Sequence, residues 1–168
     1  MHFQFDHEIE ASLARVEAAL LGPELLRRLP EFSPAIAMAC VLTCHDRGDR
    51  VEREALYSAA FVPEPLAAVI PRAWTTWIER TQWDRRTHAG SFCIEPQIPA
   101  LLRRRVSCHG DYVLCALAAE RTSRRISGEL EIAAPGVGRR AEVLLARLIC
   151  QQFAGEATLL GALAREPA

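Results

Sequence analysis

The chain has 168 residues, half of them hydrophobic, which fits one folded domain spanning residues 1–168 and argues against disorder. Its 20 basic and 21 acidic residues give a formal net charge of −1. This balance provides no positive field that would attract DNA or an anionic surface to the chain as a whole. We therefore expect no nucleic-acid partner.

All 20 basic residues are arginine, so Schiff-base and lysine general-base mechanisms are excluded. Residues 1–6 lack the basic region and the apolar run of a signal peptide. The longest apolar run without basic residues, residues 33–44, is too short to span a bilayer. We therefore expect a cytoplasmic protein whose six cysteines are reduced thiols.

The N-terminal part of the chain predicts a strand followed by two short helices. From residue 2 to residue 9, apolar and polar side chains alternate with the period of a half-buried strand. Ser12 suits the N-cap of a first helix. Gly22 and Pro23 separate it from a second helix, which we expect Pro30 to end.

The middle of the chain predicts six strands joined as three hairpins. Residues 46–49, Asp-Arg-Gly-Asp, are typical of a hairpin turn, and residues 120–123 are expected to form another. The predicted strands are residues 35–45, 51–61, 74–84, 87–95, 105–117 and 124–133. A helical turn is expected at residues 66–70.

The C-terminal part, residues 137–163, predicts one long helix with an apolar stripe at three- and four-residue spacing. The stripe consists of Val137, Ala141, Leu144, Leu145, Leu148, Phe153, Ala157 and Leu160. Most charged and polar side chains of this segment, Glu156 among them, are expected on its other faces.

This order of elements resembles the START-like, or helix-grip, superfamily over nearly the whole chain. Three segments look similar to bacterial members: Val62-Pro63-Glu64-Pro65-Leu66, Trp77-Ile78-Glu79 and Arg124-Arg125-Ile126-Ser127-Gly128-Glu129-Leu130. The second half also looks faintly like PRELI-type phospholipid-transfer domains. The resemblance implies an α+β fold in which a curved antiparallel sheet of about seven strands holds the long helix on its concave face.

A curved sheet wrapped around a helix leaves a space that core side chains do not fill, and an apolar space with few polar groups is the usual small-molecule site. The first hypothesis is binding or transport of a lipid-like or polycyclic hydrophobic molecule. The second is a cyclase or dehydratase acting on a polyketide-like substrate. The third is a non-catalytic interaction module with a filled core. Because no motif assigns catalytic residues, the sequence favours a binding protein over an enzyme.

The residues expected to contact such a ligand lie on the predicted inner faces of the strands and the long helix. They are Arg53, Tyr57, Phe61, Trp77, Glu79, Phe92, His109 and Leu148. Bulky side chains among these, with Trp83 and Phe153, are alternatively able to fill the space.

Glu79 is the most informative of these residues, but two strand registers are open. In the first, Trp77, Glu79, Thr81 and Trp83 face inward, and burial would raise the pKa of the carboxyl group. In the second, Trp74, Thr76, Ile78 and Arg80 face inward, and Glu79 lies in solvent as charged residues usually do.

Two further polar residues have alternative interpretations. Arg53 shares a strand face with Tyr57, and it either pairs with Glu79 or a ligand anion, or points to water near its hairpin. His109 and Tyr112 lie on opposite faces of one strand, so one of them enters the cavity. His109 is a candidate general base only if it is the one that enters.

The sequence predicts neither a metal site nor a cofactor. Cys44-His45 and Cys108-His109 are matched dipeptides, but strand neighbours point to opposite faces and give no tetrahedral ligand set. Gly136-Val137-Gly138 lacks the pattern of a phosphate-binding loop.

The one dense basic cluster is Arg103-Arg104-Arg105, which follows the apolar residues 98–102. It is either a solvated loop or a tip that makes transient contact with a membrane. The oligomeric state is left open.

Overall fold

The computed structural model describes residues 1–62, 64, 71, 74–133 and 138–166. The described strands are β1 (His2–Ile9), β2 (Ile36–Asp46), β3 (Arg50–Ala59), β4 (Thr76–Asp84), β5 (Ala89–Pro96), β6 (Val106–Ala118) and β7 (Arg121–Ile132). The described helices are α1 (Leu13–Leu21), α2 (Pro23–Phe32), α3 (Ala100–Arg103) and α4 (Gly138–Leu163). The turn predicted at residues 66–70 lies outside the described residues, as does Val137.

The strands form one antiparallel sheet in the order β1-β7-β6-β5-β4-β3-β2. Each strand from β2 to β6 pairs with the next strand along the chain, and β1 pairs with β7, so that β1 and β2 form the two edges of the sheet. The predicted α+β helix-grip architecture is therefore confirmed, with α1 and α2 after β1 and the long α4 last.

The structure shifts several predicted boundaries, among them the end of α2 and the start of β7. Pro30 does not end α2, which continues to Phe32, since proline in the last turn removes only one backbone donor and Ser33 N still bonds Leu29 O at 2.9 Å. β7 begins at Arg121, so the preceding turn lies at residues 119–120 rather than 120–123.

Glycines shape the centre of the sheet. Gly110 of β6 lies opposite Gly128 of β7, and this pair is flanked by Phe92 and Phe3. A Cβ atom on Gly110 would lie 2.2 Å from Ser127 O, and one on Gly128 would lie 2.6 Å from the Phe3 ring. Both positions therefore need glycine so that the aromatic rings can cross the backbone on the inner face.

The core lies between the inner face of the sheet and the helices. α4 packs against β1, β7, α1 and α2. Of its predicted stripe, Ala141, Phe153 and Leu160 are buried, whereas Leu144, Leu145, Leu148 and Ala157 are only partly covered. Glu156 is buried, which contradicts its predicted place outside the stripe.

A longer segment, which contains Arg147, also has to be considered beside the basic-free run at residues 33–44. Residues Ala141–Leu163 are long and apolar enough to cross a membrane by length and composition, with a mean hydropathy of 1.2. In this fold the segment is the helix that packs on the sheet, and core helices meet the same criterion.

Two glycines of α4 provide a test of its packing. A Cβ atom on Gly155 would lie 2.6 Å from Phe32 O, whereas one on Gly161 meets its nearest neighbours at 3.8 Å. We expect Gly155→Ala to lower the free energy of unfolding by about 1–3 kcal/mol through overpacking. Gly161→Ala should leave it unchanged or raise it by up to about 1 kcal/mol, because alanine favours helix. Urea denaturation measures both, and equal effects would contradict this packing.

Candidate functional site

β3 supplies the first wall of the site. Val51, Arg53, Ala55 and Tyr57 are buried on the inner face, and the residues between them face outward as the alternation predicts. Arg53 Nη1 donates a hydrogen bond to Leu20 O at 3.1 Å, which satisfies a carbonyl in the last turn of α1. Arg53 therefore points inward, and no described ion pair joins it to a carboxylate.

β4 supplies the second wall, and the first of the two registers is correct. Glu79 is 2 % exposed, and Thr81 and Trp83 are also buried. Arg80 faces outward, where it forms ion pairs with Glu54 and Glu95. The Arg80 ion pairs help to keep the outer side of β4 polar and leave Glu79 on the inner side.

Glu79 has one satisfied carboxyl oxygen and one free one. Its Oε1 atom accepts a hydrogen bond from Thr81 Oγ1 at 3.2 Å and lies 3.5 Å from the Tyr57 hydroxyl. Its Oε2 atom is buried without a partner among the described residues, as is Nε1 of Trp77. The Trp77 ring stacks on Tyr57, with centroids 5.4 Å apart and planes at 2°. β4 thus presents an unpaired oxygen and an unpaired indole N–H from the same face.

Burial, together with the nearby Glu156 carboxylate, raises the pKa of Glu79 to about 7. Arg53, the Thr81 hydrogen bond and Arg124 act in the opposite direction. Glu79 can therefore exchange a proton near neutral pH, the condition that acid–base chemistry requires.

The third wall comes from β7 and α4, and the sequence analysis missed it. Arg124 is fully buried and forms an ion pair with Glu156 of α4, which is also buried. The Arg124 guanidinium lies over the rings of Tyr112 and Phe153, 5.5 and 5.6 Å from their centroids. A signal for Arg124 was present, because it shares the two-residue period of the buried Thr122, Ile126 and Leu130.

The enclosed space against these polar groups is about 10 Å³, which is room for one water molecule. It is lined by Leu20, Leu21, Arg53, Glu79, Thr81, Trp83, Tyr112 and Glu156. The neighbouring part of the interior is filled by Phe92, which packs on Tyr112 and Phe153 at centroid distances of 4.8 and 6.2 Å. A larger ligand must therefore reach Glu79 from another side.

The half-covered side lies towards Trp77. Four apolar side chains pack against the core but remain partly accessible to solvent: Trp77 and Ile94 on the sheet, and Leu145 and Ile149 on α4. Ile94 pairs directly with Glu79 across the β4–β5 ladder. A partly accessible apolar side chain, Ile94, therefore lies beside the unpaired polar atoms of Trp77 and Glu79, and the partly covered Leu148 belongs to the same part of α4 as Leu145 and Ile149.

Two of the residues predicted to line the inner face do not lie there. Phe61 is 47 % exposed because β3 ends at Ala59, so the strand alternation no longer applies to it. His109 is exposed on the outer face of β6, whereas Tyr112 is the residue that faces inward. The structure therefore brings Arg53, Tyr57, Trp77, Glu79 and Phe92 together and leaves Phe61 and His109 out.

A groove of about 630 Å³ lies on the opposite, outer face of the sheet. Its floor includes a cross-strand row of polar side chains, Glu52, Gln82, Ser91, Asp111 and Ser127. Although larger, it is open to solvent and provides no apolar walls around an unpaired buried group. The inner site is the better candidate for this reason.

Within the described part of the chain, no three histidine, cysteine or acidic side chains are grouped as metal ligands would be. Burial raises the pKa of the Cys108 thiol to about 12, so this inner cysteine remains a neutral packing residue near Glu79.

A protein family matches residues 4–162, which is nearly the whole chain. The chain belongs to DUF2505, described as a protein family of unknown function. No curated protein matches this DUF2505 member in sequence.

Solved structures share its fold at low sequence identity. Zhui aromatase/cyclase from Streptomyces sp. R1128 is 15% identical, with a TM-score of 0.69 over 98% of this chain and 93% of that chain. TTHA0849 from Thermus thermophilus is 16% identical, with a TM-score of 0.67 over 98% and 97%. Norcoclaurine synthase from Thalictrum flavum is 15% identical, with a TM-score of 0.63 over 99% and 87%. These similarities show that the chain shares the fold of these proteins.

The raised pKa of Glu79 predicts how stability depends on pH. Because the folded protein holds this proton up to about pH 7 and the unfolded chain releases it near 4.5, stability falls between these values as pH rises. The loss is about 3 kcal/mol. Glu79→Gln should remove this loss of stability. Urea denaturation of wild type and variant at several pH values between about 4.5 and 7 measures the difference. Glu129→Gln on the outer face is the control, and parallel curves for wild type and Glu79→Gln would contradict the assignment.

The buried ion pair predicts strongly coupled substitutions. Glu156→Gln leaves the Arg124 charge unpaired and should lower the free energy of unfolding by about 3–5 kcal/mol. Replacing both residues by methionine should cost less than the sum of the two single changes Arg124→Met and Glu156→Met. Asp6→Asn breaks the exposed pair with Arg125 and should have a small effect. Additive costs in a double-mutant cycle would show that the buried groups are not coupled.

Proposed function

We propose that the chain binds a hydrophobic, ring-containing small molecule on the inner face of the sheet, beside α4, with Glu79 as its polar anchor. The observation that carries this proposal is the pair of unpartnered buried atoms, Glu79 Oε2 and Trp77 Nε1, next to the partly accessible apolar side chain of Ile94. Buried polar groups without partners are costly and uncommon. A ligand that supplies both partners would remove that cost.

The two atoms define the polarity of the ligand. The Trp77 N–H can only donate, so the ligand must offer an oxygen or nitrogen acceptor. Glu79 accepts a ligand hydrogen bond when ionised and can donate one when protonated. The rest of the ligand faces Ile94 and the partly covered side chains of α4, which favours an apolar ring system with one polar edge.

The fold relatives support a ring-bearing ligand. Their names describe an aromatase/cyclase, and a norcoclaurine synthase solved in complex with dopamine and hydroxybenzaldehyde. Because these proteins are about 15% identical to this chain, they support the class of ligand rather than any particular molecule.

A second candidate function, acid–base catalysis, rests on the proton that Glu79 exchanges near neutral pH. Burial raises the pKa values of Tyr57 and Tyr112 well above the usual range, so both hydroxyls remain neutral donors beside the carboxyl group. Because His109 lies outside the site, Glu79 would have to act as both base and acid, as in a cyclisation or dehydration with internal proton return.

The binding proposal is tested with the neutral dye Nile red. Ionised Glu79 disfavours an apolar occupant, so affinity should fall about tenfold for each pH unit above the pKa of about 7. Glu79→Gln should bind the dye without this pH dependence, and the outer-face variant Glu129→Gln should behave as wild type. Absence of dye binding, or a pH profile unaffected by Glu79→Gln, would contradict the proposal.

The natural occupant is identified by organic extraction of the purified full chain and mass spectrometry. We expect a ring-containing compound that is depleted in extracts of Trp77→Ala. An acyl lipid in the extract would replace the ring-containing class with a lipid-like ligand.

A further inference from the structure

α3 exposes an unusual combination of side chains. Leu101 is 75% exposed and Leu102 is 37% exposed, and the exposed Arg104 and Arg105 follow directly. These four residues form what we call the α3 tip. Two adjacent exposed leucines beside two adjacent exposed arginines resemble a surface that meets apolar chains and anions together.

The charge of the α3 tip is not neutralised locally. Arg103 turns back to bind Glu95 Oε1 at 2.6 Å and Ile98 O at 3.3 Å, and Glu95 also binds Arg80. Arg104 and Arg105 form no ion pair with the residues that the structure describes. The chain as a whole carries a charge of −1, so attraction of an anion here is local.

The α3 tip lies at the half-covered end of the candidate site. Gln97 N bonds Thr76 O at 2.9 Å, immediately before Trp77, and Trp77 pairs with Pro96. Ala133 N bonds Arg105 O at 2.8 Å, which places the tip beside the end of β7, close to where α4 begins. A surface bound by the tip would therefore lie next to the accessible side of Trp77.

We propose that the α3 tip docks on the surface of an anionic phospholipid bilayer, from which the apolar ligand of the inner site is taken up or to which it is returned. The arginines meet the headgroup phosphates, and Leu101 and Leu102 enter the boundary with the acyl chains. Both signals are needed, because neither two leucines nor two cations alone hold a protein on a membrane. The exchange of ligand rests on the proposed function, whereas docking itself does not.

The test is flotation of the full chain with vesicles of phosphatidylcholine alone or of phosphatidylcholine with phosphatidylglycerol. Wild type should float with the anionic vesicles at low salt, and less so at high salt. Arg104→Gln with Arg105→Gln should reduce the partition at least about tenfold, since each arginine near an anionic surface contributes about fivefold. Leu101→Ser with Leu102→Ser should also reduce the partition onto vesicles. Binding to free phosphate or to an acidic protein surface would not depend on these leucines.

The matched control is Arg47→Gln with Arg50→Gln, an equal charge change at the β2–β3 hairpin. In the β3–β4 ladder Arg50 lies opposite Asp84, the last residue of β4, whereas Trp77 is near the first. This hairpin therefore lies at the opposite end of the sheet from Trp77. The control should float as wild type does. Three results would each overturn the docking proposal: wild type does not float, the two double arginine variants lose flotation equally, or the double leucine variant floats as fully as wild type.

Two crossed measurements separate this inference from the proposed function. The Arg104/Arg105 double variant should still bind Nile red, and Glu79→Gln should still float with anionic vesicles. Dye binding without flotation would overturn docking alone, and flotation without dye binding would overturn the inner ligand site alone.

Discussion

The contact between Arg124 and Glu156 governs how the two layers of this protein meet. A guanidinium and a carboxylate removed from water are strongly destabilising unless they find each other, so β7 and α4 are held at the position where they do. The rings of Tyr112 and Phe153 cover the guanidinium and exclude solvent from it. Rotating α4 by one residue would separate this ion pair, which makes the helix position specific as well as apolar.

The properties of Glu79 follow from that arrangement. The ion pair between α4 and Arg124 places the Glu156 carboxylate close enough to raise the pKa of Glu79. Both carboxyl groups line the same small space. Burial removes water from Glu79 and contributes most to its raised pKa. The chemistry of the candidate site is thus a product of helix placement and of the outward direction of Arg80 on the same strand.

Sequence periodicity was sufficient for the order of elements, for the inner face of β3 and for the place of Tyr57. It was insufficient for Glu79, because the segment before Asp84 carries tryptophans in both registers and either face could have been the apolar one. It misplaced Glu156, because a helical stripe drawn from hydrophobic residues cannot include a carboxylate whose partner is distant in the chain. Phe61 was assigned to the interior by extending an alternation beyond the end of its strand.

The absence of lysine from this chain has a consequence for the buried cluster. Its two cations are the arginines Arg53 and Arg124, whose positive charges lie against Glu156 and a Glu79 that is either neutral or ionised. The cluster thus alternates between one surplus positive charge and electroneutrality. By linkage, an anionic occupant must draw a proton onto Glu79 and a cationic occupant must expel one. Proton release to the buffer during binding would therefore identify a cationic occupant, whereas proton uptake is expected for an anionic or a neutral apolar one.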